Sequence, residues 1–141
     1  MSETALWKRM RAGVVEQCFV QRVENIVGSG VPDVLLHSRA TGAEAWVELK
    51  FRRIRPKRVG TPIFTSDAGL RPEQKAWIYE RALAGVNVWI LGQCEHEVYL
   101  IHGRHARELE TMDEDVLFNN CGWVTEARGT NWAKLLEVIV G

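Results

Sequence analysis

The sequence predicts an α/β (α+β) fold, a mixed central β-sheet flanked by helices. Three observations carry that expectation. Runs of β-prone apolar residues alternate with runs of helical periodicity, in the rough order αβββαββαα. The 141 residues suffice for one domain with a sizeable core, so 1–141 is read as a single unit. Apolar residues at 46% and charged residues at 26% are ordinary globular values and exclude disorder.

Each element has its own justification. Residues 3–16 start at Ser2-Glu3-Thr4 and carry Leu6, Met10 and Val14 at helical spacing, a first helix. "CFVQRV" (18–23) is β-prone and "ENIVGSG" (24–30) is a glycine-rich loop. "VPDVLLH" (31–37) and "AWVELKF" (45–51) read as strands around a turn at Thr41-Gly42. The stretch after them, through Gly69, holds two prolines and two glycines and reads as a long irregular loop. "LRPEQKAWIYERALAG" (70–85) is the clearest helix, with Pro72 at its first position and Gly85 just past its end. "VNVWILG" (86–92) and "EVYLI" (97–101) are strands; "HARELETM" (105–112) and "NWAKLLEVIV" (131–140) are helices.

Net charge is zero, but its distribution is uneven. Residues 1–75 hold 13 basic and 8 acidic side chains, whereas 76–141 hold 5 and 10. The extremes are "KFRRIRPKR" (50–58) and "ELETMDEDV" (108–116). Two readings fit: one face that meets phosphate and another that stays in solvent, or two solvated runs. Cys18, Cys94 and Cys121 are odd in number and contain no CxxC pair, which argues against a disulfide framework or zinc site and for a reducing, intracellular location. No apolar run reaches the ~18–20 residues of a membrane span, so no membrane partner is expected. Phosphate-loop, dinucleotide and serine-hydrolase motifs are absent. His102 and His105 form an HxxH with no completing ligand and read as structural. His37 shares a face with Asp33 and sits at its strand end.

The chemistry lies in the 31–51 pair. Side chains alternate across a strand, so Trp46, Glu48 and Lys50 share one face and Val47, Leu49 and Phe51 the other. A turn centred between Thr41 and Gly42 sets Asp33 opposite Lys50 and diagonal to Glu48. Two carboxylates beside an ammonium suit a hard divalent cation such as Mg²⁺, with Lys50 orienting water or balancing transition-state charge. The alternative is an Asp33–Lys50 ion pair with Glu48 at the solvent edge.

"PD" at Pro32-Asp33 followed by "ELK" at Glu48-Leu49-Lys50 resembles the PD-(D/E)XK nuclease signature. Across residues 21–91 the chain resembles small phage-type nucleases of the VRR-NUC and Holliday-junction-resolvase branches. The resemblance implies a restriction-endonuclease-like αβββαβ core. It also implies Asp33, Glu48 and the Leu49 carbonyl as ligands of Mg²⁺ (with Mn²⁺ able to replace it), and Lys50 as the catalytic lysine. Gln74 matches the glutamine that supports the site in those proteins; as the third helical residue it also suits a helix cap. A further upstream acid is implied, and Glu24 and Glu16 both qualify, Glu24 lying nearer the loop.

Nucleic-acid contacts are expected from Arg52, Arg53, Arg55, Lys57 and Arg58, with Arg22 and the Ser29 backbone opposite. Arg71 stands where relatives carry a serine or threonine cap, an unfavourable place for a cation unless phosphate approaches. The implied function is endonucleolytic hydrolysis of DNA, selective for branched structures, by a homodimer. The alternatives are a restriction-type or end-processing nuclease of the same fold and a catalytically silent nucleic-acid-binding subunit.

Overall fold

A computed structural model describes residues 1–23 and 30–141. The expected sites Glu24 and Ser29 lie outside the described residues. The elements run α1 (Glu3–Val14), β1 (Cys18–Arg22), β2 (Val34–Ser38), β3 (Glu44–Arg52), α2 (Pro72–Leu83), β4 (Val88–Cys94), β5 (Glu97–His102), α3 (Glu114–Asn120), β6 (Trp123–Glu126) and α4 (Trp132–Val140). Among the described residues the strands form one six-stranded sheet in the order β1-β2-β3-β4-β5-β6. Only β3 and β4 pair in parallel, and α2 is the crossover between them.

The central strands β4 and β5 are buried on both faces, which is why β4 is apolar at nearly every position. Leu6, Met10 and Val14 of α1, with Leu135, Leu136 and Ile139 of α4, cover the Val47, Leu49, Leu91 and Leu100 side. Ile78 of α2 joins Ile63, Phe64, Leu109 and Leu117 over Ile90, Tyr99 and Ile101. Full burial of one such aliphatic side chain contributes roughly 1.5–3 kcal/mol. Among the described residues no helix is long and apolar enough to cross a membrane.

Three elements differ from the sequence expectation. The acidic run contains a real helix: Asp113 caps α3 by accepting from the Val116 N–H at 2.9 Å, and Glu114 and Asp115 fill its first turn. The stretch 105–112 forms only tight 3-10 turns, at Gly103–His105 and Leu109–Thr111. β6 then adds a sixth strand to the edge of β5. By contrast, α2 begins at Pro72 as expected, and Gly85, just past its end, is left-handed at φ 94°.

Gly92 sits in mid-strand because the fully buried Phe64 ring lies over it; a Cβ there would come within 2.5 Å of the ring. Gly92→Ala is therefore expected to destabilise the fold by about 1–3 kcal/mol. Urea unfolding measures it, and an unchanged midpoint would show that Phe64 is free to shift.

Candidate active site

The β2–β3 turn sets the site. Ser38 N–H donates to the Ala43 carbonyl and Gly42 N–H to the Ser38 carbonyl, both at 2.8 Å, enclosing residues 39–42 as a four-residue loop. Thr41 N–H bonds Ser38 Oγ, Ala43 N–H bonds Thr41 Oγ1, and Gly42 takes the left-handed φ of 76°. Val34 consequently faces Val47, a register shifted by two residues from a turn centred on Thr41-Gly42. Asp33 thus meets Glu48 and not Lys50, which corrects the sequence expectation. An even shift leaves every side chain on its face, so the polar group stays together.

Asp33 stands one residue before β2. Its N–H donates to Glu48 Oε1 at 3.2 Å, and its Oδ2 accepts from the Leu49 N–H at 3.0 Å. A strand residue points its N–H and C=O toward the same neighbour, so the Leu49 carbonyl faces the side where β2 has ended. Lys50 Nζ lies 3.5 Å from Glu48 Oε2 and donates to Gln74 Oε1 at 3.1 Å. Gln74 Nε2 donates to Glu48 Oε2 at 2.8 Å. Glu48 is 1% exposed, Gln74 6% and Lys50 9%. The ion-pair alternative with Glu48 at the solvent edge is therefore wrong: Lys50 pairs with a buried Glu48.

The two roles open to Gln74 coexist. Its Oε1 also accepts from the Arg71 N–H at 2.9 Å, half of a capping box at the start of α2. The other half cannot form, because a guanidinium has no acceptor. One amide thus ties the helix start to the lysine and the glutamate. Arg71 itself has a local partner, its Nε lying 3.0 Å from Glu73.

Burial pushes the Glu48 carboxyl up to about 8, reinforced by the Asp33 charge and opposed by Lys50. Glu3, in the first turn of α1, joins this electrostatic group: partial burial and then Asp33 raise its pKa, while Lys50 and Arg22 oppose the shift. It also adds to the upward push on Glu48. The acid that α1 brings toward the site is Glu3 and not Glu16, which is exposed beyond the other end of a helix about 18 Å long. Glu3 lies thirty residues before Asp33 in the chain, and its place at a helix start gave no separate signal.

The cations of the basic stretch divide into two groups. Arg52 donates to the carbonyls of Ile54, Pro62 and Ile63, bracing the base of the following loop. Arg55 binds Glu97 and Glu114. Arg53, Lys57 and Arg58 are exposed and, among the described residues, have no acidic partner. Arg22 stacks on Trp7 at 4.9 Å. His37 pairs with Glu44 at the far end of β2, and His102 Nδ1 accepts from the Arg104 N–H. The basic and acidic runs do not occupy opposite faces: Arg55, Lys57 and Arg58 share a cavity with Asp113, Glu114 and Asp115.

No family model matches the chain, and no curated protein matches it significantly. Among solved structures it is similar to the 1.6 Å structure of Archaeoglobus fulgidus Hjc, a Holliday junction resolvase from an archaeal hyperthermophile. That likeness has a TM-score of 0.56 at 14% identity and covers 82% of this chain and 92% of that one. The mixed six-stranded sheet flanked by helices is thus a fold that this chain shares with that structure.

Proposed function

We propose that this chain is a metal-dependent endonuclease that hydrolyses phosphodiester bonds of branched DNA such as a four-way junction. The observation that carries the reading is the convergence of Asp33, Glu48, Lys50 and Gln74 on one largely buried spot beside β3. The fold shared with a Holliday junction resolvase supports it.

The donor set fits a hard divalent cation. A buried carboxyl raised to about 8 beside a second carboxylate marks a site short of positive charge, despite Lys50. Among the described residues no three acidic, histidine or cysteine side chains form a closed cage. Mg²⁺ suits such a site, since it is held by one or two carboxylates with water and phosphate oxygens completing its shell. Asp33, Glu48 and the Leu49 carbonyl would hold it, with Mn²⁺ able to replace it. Bound there, the cation would lower the pKa of a water and polarise the phosphoryl oxygen. Lys50, oriented by Gln74, would position the attacking water and balance charge on the phosphorane-like transition state. Exposed Arg53, Lys57 and Arg58 would hold the phosphate backbone without reading bases. A junction offers two equivalent strands, which suits a two-fold homodimer.

The test is a substrate panel in Mg²⁺: a fixed four-way junction, linear duplex and single strands. Preferential junction cleavage is expected. Equal cleavage of linear duplex would replace branched DNA with a restriction-type or end-processing role. Salt-dependent binding without cleavage in Mg²⁺ or Mn²⁺ would make the chain a silent binding subunit.

A further inference from the structure

We infer that Arg55 is a positioning residue that latches the basic loop 53–61 to β5 and α3, so that Lys57 and Arg58, and not Arg55, meet the phosphate backbone. The binding part of this inference rests on the proposed nuclease reading; the latch itself does not.

The base of the loop is closed by Arg52, whose guanidinium bonds three loop carbonyls at 2.9–3.1 Å. Arg55 then ties the loop outward. Its guanidinium spans Glu97 at the start of β5 and Glu114 in the first turn of α3. Its backbone N–H donates to Glu95 Oε1 at 2.8 Å. With two carboxylates already on it, the Arg55 guanidinium has its charge neutralised and competes poorly for a phosphate. Asp113 and Asp115 line the same cavity of about 260 Å³ beside Glu114, so α3 presents acidic groups to this part of the loop. Lys57 and Arg58 line that cavity too, but they are exposed and form no ion pair among the described residues, so their charge stays free for a phosphate.

Glu95 supplies an independent sign that the latch is built. It occupies a two-residue hairpin turn between β4 and β5 with φ 51°, a left-handed conformation in which glycine or asparagine is preferred. A glutamate there is strained, and such strain persists where surrounding contacts over-determine it. Here the Glu95 N–H donates to the Arg52 carbonyl at 3.1 Å, its carbonyl accepts from Gln93 Nε2 at 2.7 Å, and its side chain receives Arg55. A residue better suited to the turn would lose the last of these.

Two readouts on the intact protein test the inference. Without DNA, Glu114→Gln and Glu95→Asn are expected to speed tryptic nicking after Lys57 or Arg58 about fivefold, with no fall in the unfolding midpoint for Glu95→Asn. With labelled junction DNA over a salt series, Glu114→Gln should weaken binding about fivefold and leave the slope of log K against log salt unchanged. Lys57→Ala should lower that slope by about one, and Arg55→Ala should not. Tighter binding by Glu114→Gln, or a slope lowered by one in Arg55→Ala, would make Arg55 a phosphate contact and overturn the inference. Unchanged nicking in both acidic variants would overturn it as well. If the wild type binds no DNA, the nuclease reading fails while the nicking rates still decide the latch.

Discussion

In chelator, stability is expected to fall by ~2 kcal/mol between pH 6.5 and 8.5, and Glu48→Gln is expected to remove most of that fall. Glu48 drives it because its carboxyl is held up at about 8 in the fold against an ordinary value of 4.5. Protonated Glu48 suits its buried place beside Asp33 and accordingly favours the folded state. That contribution is complete below the ordinary carboxyl range and is lost as pH rises through the folded value. The unfolded chain releases the proton readily, so alkaline pH favours unfolding. Glu3 is shifted in the same direction, by burial first and then by Asp33. His102 and His105, shifted down by burial, oppose the fall at the acidic edge of this window, and the thiols of Cys18, Cys94 and Cys121, shifted up by burial, add to it only at the alkaline edge. Urea denaturation at stepped pH measures the slope. Millimolar Mg²⁺ should flatten it in the wild type and do nothing in Glu48→Gln, because a cation beside Glu48 favours the carboxylate. A flat profile in the wild type would mean that Glu48 is not the strained acid described.

Lys50→Ala is expected to lower DNA cleavage by about 10²–10⁴-fold while folding and DNA affinity stay close to wild type. The ammonium sits in the polar spot itself, bonded to Gln74 and 3.5 Å from Glu48. The variant should fold, because a neutral, protonated Glu48 can replace the lost ion pair: Lys50 is the charge that holds its pKa down. Glu48→Ala should be equally inactive. Single-turnover rates, circular dichroism and anisotropy titrations separate chemistry from folding and binding. Cleavage near the wild-type rate in either variant would remove the pair from the reaction.

The face of each strand was legible from alternation alone, since Glu48 and Lys50 had to leave the Val47–Leu49 side. Register was not, because Ser38 and Thr41 side chains convert an apparent two-residue turn into a four-residue loop. The error was harmless only because it was even. α2 was bounded correctly by Pro72 and Gly85, whose backbone constraints are local. α3 is hidden by its own charge: its start lies in the acidic run "ELETMDEDV", which charge alone assigns to no element, although an N-capping aspartate with acids in the first turn is a helix-start signal. Glu3 and the partners of Arg55 come from distant parts of the chain, and their meeting is decided by tertiary packing.

The central claim is that Glu48 and its neighbours cut DNA with a divalent cation. Single-turnover incubation of a labelled four-way junction with wild type and Glu48→Gln, each in Mg²⁺ and in chelator, tests it most directly. The account predicts symmetric cleavage by wild type in Mg²⁺ and none in the other three reactions. Cleavage that survives chelator, or that Glu48→Gln performs at the wild-type rate, would contradict it.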